Sequence, residues 1–173
     1  MKLINAIHEY DVSLFTWLTN SRLRSLSVNF CKVISWTGDG PLYLVLASAI
    51  FYTEGFHNPL LRAILIAFLL ERPLYFVLKN GCKRNRPGAA LENFQSSIIP
   101  SDQFSFPSGH TSAAFLMATL LACFYPSLLP ALFFWAGAVG FSRIMLGVHF
   151  PTDILMGMSL GITMAAMSLG AVL

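Results

Sequence analysis

Read from its amino terminus, the chain alternates long apolar runs with short polar breaks, and the breaks carry proline, glycine or charge. Residues 3–20 mix Leu3, Ile4, Ile7, Leu14, Phe15 and Leu18 with His8, Glu9 and Asp11, the pattern of an amphipathic helix lying in a membrane interface. Apolar runs follow at 24–37, 41–52, 60–78 and 108–124, then one ending near 145 and one from 151 to the carboxyl terminus. Gly38-Asp39-Gly40-Pro41, Glu54-Gly55 with His57-Asn58-Pro59, and Pro126 with Pro130 separate them, all turn-forming combinations. The run at 24–37 is only moderately apolar and holds Lys32, which can snorkel or face a bundle. Residues 80–107 form the one long polar segment, and a connection of that length in a compact bundle is usually functional.

This pattern predicts an all-α integral membrane bundle of six transmembrane helices with an N-terminal interfacial amphipathic helix, one domain over residues 1–173. Alternation through six spans puts the 38–41 turn, the 80–107 loop and the 146–150 turn on one face. It puts Lys2, Arg22, Arg24 and Arg62 on the other.

Composition fixes the class. Of 173 residues, 55% are hydrophobic and 11% charged, and the mean hydropathy is +0.65, too apolar for a soluble domain of this length. A spanning helix takes about 20 apolar residues, which leaves room for roughly six with tight connections. Lys2 is not followed by a long apolar core and a small-residue cleavage site, so no removable signal peptide is expected.

The net charge of +3 hides a local knot, because Lys79, Lys83, Arg84 and Arg86 fall within eight positions. Membrane segments flank this knot, which argues against nucleic acid as a partner and for an anionic head group. Lys83 and Arg84 read as membrane-surface charges. With Lys79, Arg86 and Arg143 set aside as ligand-binding groups, the remaining bias favours an N-terminus in the cytoplasm and a site outside. The three cysteines have neither paired nor metal-like spacing. A thiol phosphatase built on Cys82 would need an arginine where Gly88 stands.

Charged groups are costly in such a chain, so three clusters near helix ends point to one polar site. In Pro107-Ser108-Gly109-His110, Ser108 occupies an N-cap position and Gly109 lets an anion approach free amides at the positive end of a helix. A capped helix with an incidental histidine fits that tetrapeptide equally well. In the third cluster His149 and Asp153 flank Pro151, which favours the first position of a helix. Asp153 could orient His149 as a nucleophile, or simply complement the helix dipole. Arg143, six residues before His149, offers a planar fork for two phosphate oxygens. With Lys79 and Arg86 it gives three cations, a cage suited to a transferring phosphoryl group. Glu71-Arg72 lies roughly 11–12 Å below Lys79 at 1.5 Å per helical residue, too deep for phosphate contact and suited to an ion pair inside the bundle.

The order Lys79-x6-Arg86-Pro87, Pro107-Ser108-Gly109-His110 and Ser142-Arg143-x3-Gly147-x-His149-x3-Asp153 resembles the three-part signature of the type 2 phosphatidic acid phosphatase superfamily at every defining position. The resemblance implies a metal-independent, cofactor-free phosphatase of the bacterial cytoplasmic (inner) membrane, with its site facing the periplasm or outside. It implies that His149 is the nucleophile, Asp153 its activator and His110 the acid for the leaving oxygen. Lys79, Arg86, Ser108, Gly109 and Arg143 would bind the phosphate of undecaprenyl diphosphate, phosphatidylglycerol phosphate or phosphatidate. The superfamily also contains soluble vanadate haloperoxidases, against which the membrane composition and the six-residue gap before Arg86 speak. A lipid-phosphate binding or flipping protein that kept the cage is the other class of function. Leu91, Phe94, Ile98, Ile99, Phe104 and Phe106 either form a lip for a lipid tail or pack on the bundle. Neither the head group nor the oligomeric state is encoded in these motifs.

Overall fold

The computed structural model describes residues 2–20 and 22–173, with backbone alone for residues 2–7, 22, 23, 25 and 26. Among the described residues the chain is helical and holds no strand: α1 (Lys2–Thr19), α2 (Arg22–Thr37), α3 (Gly40–Glu54), α4 (Pro59–Cys82), the short α5 (Pro87–Ala90), α6 (Gly109–Phe124), a 3-10 turn at Pro126–Leu128, α7 (Leu129–Met145) and α8 (Pro151–Val172).

Helix α6 is the axis of the bundle. From Thr111 to Ala118 every residue is buried, and α4, α7 and α8 pack around it. Glycines set the close approach of α8, because a Cβ at Gly161 would strike the carbonyl oxygen of Ser112 and lie 2.9 Å from the amide of Leu116. The outer faces are apolar. Leu44, Val45, Val77, Phe134 and Leu155 are all exposed, as suits lipid-facing positions.

Among the described residues, three helical runs are long and apolar enough to cross a membrane: Ser27–Glu54, Pro126–Met145 and Pro151–Val172, while Gly109–Phe124 is apolar but shorter. Within the first run, α2 and α3 are separate helices broken at residues 38–39, α2 packing on α7 and α3 on α4. Pro41 is tolerated because it sits in the first turn of α3, after the extended Asp39.

The placement of Arg24 is a correction to the sequence reading. Its guanidinium donates to the carbonyls of Met145 (3.2 Å) and Gln95 (3.0 Å), so the start of α2 lies at the cluster end of the bundle and not on the opposite face. The side chains of Lys2 and Arg22, counted with it, lie outside the described residues.

Helix α1 also packs at that end. Its buried stripe is Asp11, Phe15 and Thr19, with Phe15 edge-on to Phe94 and Phe150, while Tyr10 and Trp17 are exposed. Asp11, grouped with the polar face in the sequence pattern, is fully buried. Its carboxylate accepts from Arg84 at 2.5 Å and from the amide of Thr152 at 3.0 Å. Leu91, Phe94 and Ile98 pack on the bundle.

Candidate functional site

Three helix ends build the site, each shaped by local chemistry. At the C-terminus of α4 the last turn closes on Lys83 in the left-handed region (φ 47°), its amide bonded to the carbonyl of Lys79, and Lys79 points inward, buried. At the N-terminus of α6, Ser108 caps the helix by accepting from the Thr111 amide. At the C-terminus of α7, the amides of Gly147 and Val148 reach back to the carbonyls of Ile144 (2.8 Å) and Arg143 (3.1 Å). This is the Schellman pattern, and it requires the left-handed backbone that Gly147 supplies (φ 78°). The turn so formed delivers His149 and then Pro151, the first residue of α8. The freed carbonyl of Val148 accepts from Arg86 at 2.7 Å, which ties the first cluster to the third.

The clusters meet in a cavity of about 530 Å³, lined by Lys79, Arg86, Gly109, His110, Arg143 and His149. Two expected residues stand behind its wall. The Ser108 hydroxyl is engaged with Thr111 Oγ1 at 2.8 Å and its amide with the carbonyl of Asp153 at 3.0 Å, so Ser108 supports the helix end and does not face the cavity. Asp153 is fully buried. One of its oxygens accepts from the Phe150 amide at 2.8 Å and lies 3.6 Å from His149 Nδ1; the other accepts from Arg84 at 2.8 Å. Asp153 thus caps α8 and stands beside the histidine, whose Nδ1 is buried without a hydrogen-bond partner.

The ring of His149 is 2% exposed, with Nε2 3.3 Å from Arg86 and on the cavity side. Burial, only partly opposed by Asp153, holds its pKa down at about 3, so it enters any reaction neutral with a lone pair available. Arg143 is buried with Nη1 donating to Ser35 at 2.7 Å, while its Nε has no hydrogen-bond partner. An unpartnered buried guanidinium N–H is costly without an acceptor, which marks the place for an anion.

Several acidic and polar partners were not legible as site residues. Asp102, from the long loop, pairs with Lys79 at 2.9 Å and also with Arg86. Burial alone would raise its pKa; the hydrogen bonds from Lys79 and Arg86 more than offset that and hold it below the ordinary carboxylate value. Tyr75 donates to Asp102 at 3.1 Å and accepts from Lys79, and its ring fills the space over Gly109 that a Cβ would need. Asp39, from the expected turn, contacts His110 Nε2 at 2.7 Å. Arg84 is not the surface charge it was read as: it bridges Asp11 and Asp153 and lies over the ring of Phe150. The expected pair of Glu71 with Arg72 is present, joined by a 2.6 Å hydrogen bond from Ser112.

Away from Lys79, Arg86 and Arg143, the same cavity is largely apolar, walled by Leu44 and Ala47 of α3 and by Ile64, Leu65, Phe68 and Phe76 of α4, with Arg72 also in its lining. A second cavity, of about 1010 Å³ between α1, α2 and α7, has no charged residue among the described residues of its lining.

The sequence profile of the PAP2 superfamily matches residues 56–172, a stretch that contains all three clusters. The chain belongs to the PAP2 superfamily. Among PAP2 relatives, phosphatidylglycerophosphatase B of Bacillus subtilis is 35% identical over 133 residues, covering 70% of this chain and 62% of its own. The matches span about half to three-fifths of the curated relatives' length. The crystal structure of LpxE from Aquifex aeolicus superposes with a TM-score of 0.80 at 31% identity, covering 91% of this chain and 93% of that one. A Bacillus subtilis structure described as a transmembrane PAP2 type phosphatidylglycerolphosphate phosphatase gives 0.76 at 29% identity, covering 96% and 86%.

Proposed function

We propose that this PAP2 protein is a membrane lipid phosphatase that removes phosphate through a phosphohistidine on His149. One observation carries the reading: a single cavity joins a cationic end containing His149 to an apolar wall on α3 and α4, matching a molecule with a phosphate at one end and a hydrocarbon tail at the other.

The chemistry follows from the placement of the groups. Lys79, Arg86 and Arg143 neutralise the phosphate, and the amides at the start of α6 meet it at a helix N-terminus. His149 Nε2 attacks phosphorus with its lone pair, and the bond from phosphorus to the lipid oxygen breaks. His110 gives that oxygen its proton, then takes one from the water that hydrolyses the phosphohistidine. Asp153 accepts toward Nδ1 and stabilises the ring as it becomes cationic, and Asp39 fixes the ring of His110. Ser108 contributes by capping α6.

The substrates proposed are undecaprenyl diphosphate, phosphatidylglycerol phosphate and phosphatidate, of which the Bacillus subtilis relatives are named for the second. The protein is proposed to be a multi-pass protein of the bacterial inner membrane with the site open to the outside. With Arg24 at the cluster end, charge counting no longer supports that orientation, which rests on the family resemblance.

The test is phosphate release from these three lipids by purified protein, wild type against His149→Ala and His110→Ala. Release by wild type and loss in both variants is expected. Equal release by His149→Ala would overturn the mechanism, and phosphate binding without release from any lipid would favour a binding or flipping protein.

A further inference from the structure

The motifs give no place to Asp102, yet its carboxylate stands where an anion belongs. Lys79 Nζ lies 2.9 Å from one oxygen, Tyr75 donates to the same oxygen at 3.1 Å, Arg86 pairs with the other, and Arg86 Nε donates to the Asp102 carbonyl at 3.0 Å. Lys79 and Arg86 are two of the three cations proposed to hold the phosphate. The remaining one, Arg143, is the one left with an unpartnered N–H. In the free protein the chain therefore supplies its own anion to two thirds of the cage.

Asp102 can also leave. Its side chain is 39% exposed, against 6% for Lys79 and 7% for Arg86. The segment carrying it has no helix, and it is fastened on either side, by the Ser97 amide to the carbonyl of Leu146 at 2.9 Å and the Ser105 amide to the carbonyl of Arg84 at 2.8 Å. Between these anchors Asp102 can swing toward water without releasing the loop.

We propose that Asp102 is a displaceable counter-anion that competes with the substrate phosphate for Lys79 and Arg86. The inference rests on the phosphatase reading and adds a built-in competitor to it. Binding exchanges one anion for another, so the cost of displacing the carboxylate is subtracted from the affinity of every phosphate alike. A terminal phosphomonoester carries about −1.5 to −2 charge at pH 7 and three strong acceptor oxygens, more than the single charge and two oxygens of Asp102, and so displaces it. The tethered carboxylate competes at an effective concentration of the millimolar order expected for a short flexible connection.

The experiment uses the full chain in detergent, wild type against Asp102→Asn, with inorganic phosphate and dimethyl phosphate as competitive inhibitors of lipid hydrolysis at pH 8. The expected result is an inhibition constant for phosphate that falls roughly three- to tenfold in Asp102→Asn, the loss of one tethered competitor, with a similar fall for dimethyl phosphate. An unchanged or raised constant for phosphate overturns the proposal. Melting curves give a second reading: Asp102→Asn should melt below wild type without phosphate and gain more from saturating phosphate than wild type does. A variant whose folding phosphate does not restore also overturns it. If wild type is neither inhibited nor stabilised by phosphate, the phosphatase reading itself fails; if wild type responds and Asp102→Asn binds no tighter, only the counter-anion role fails.

Discussion

Gly157 lies one turn along α8 from Asp153 and faces the first turn of α6. A Cβ there would sit 2.6 Å from the carbonyl oxygen of Ser108, 3.2 Å from Thr111 Cβ and 3.3 Å from the amide of Ser112. Ordinary contact begins at 3.4 Å, so in Gly157→Ala the helices must part by about 0.8 Å, the difference between that value and 2.6 Å. Two of the three obstacles are backbone atoms and cannot rotate away. The movement also strains the 3.0 Å hydrogen bond from the Ser108 amide to the Asp153 carbonyl, which links the α6 cap to the residue behind His149. Overpacking of this kind costs about 1–3 kcal/mol, and a misplacement near 1 Å costs about a hundredfold in rate. Gly157→Ala should therefore melt lower and lose about 10- to 100-fold in kcat with KM little changed. Gly170→Ala, on the same helix with nothing within 4 Å of its Cβ, should match wild type. Thermal melts and steady-state hydrolysis of a short-chain lipid phosphate measure both. Wild-type kcat in Gly157→Ala would refute the claim that this glycine contact positions the site.

Other outcomes follow from the same contacts. Arg84→Ala strands the buried carboxylates of Asp11 and Asp153 and should cost about 3–5 kcal/mol, the range for breaking a buried ion pair; Arg84→Lys should restore part of it, and an unshifted melting curve for Arg84→Ala would contradict the bridge. Cys82 is exposed at the cluster end of α4, and Cys123 is exposed at the far end of α6, so in Cys123→Ser an impermeant maleimide should label Cys82 in intact cells, and not once Cys82→Ser is added. Labelling only after permeabilisation would place the site in the cytoplasm. Vanadate, an analogue of the five-coordinate phosphate, should inhibit, and insensitivity at millimolar concentration would count against the cage.

The parts of this site visible in the sequence are those that local rules govern. Ser108 as a cap, Pro151 at a helix start and Gly147 after one are positions where backbone geometry restricts the residue type, so the helix ends stand where their residues predict. The acidic partners obey no such rule. Asp11 meets Arg84 across 73 positions, and the partners of Asp39 and Asp102 are fixed by how helices and loop dock. A weaker signal was available, because the chain has 8 acidic residues against 11 lysines and arginines, and each charge buried in an apolar bundle needs a counterpart. The 38–41 segment follows a local rule as well: Gly-Asp-Gly-Pro favours a turn, and α2 and α3 are separated there, with Asp39 extended just before the first turn of α3.

The central claim is that His149 carries the phosphate between the two half-reactions. Rapid acid-free quenching of the enzyme with a lipid labelled in its terminal phosphate by 32P measures this directly. A protein-bound label that is stable to base and labile to acid is expected, absent in His149→Ala. Label of the same stability in His149→Ala, or turnover by wild type with no protein-bound phosphate at any time, would contradict it.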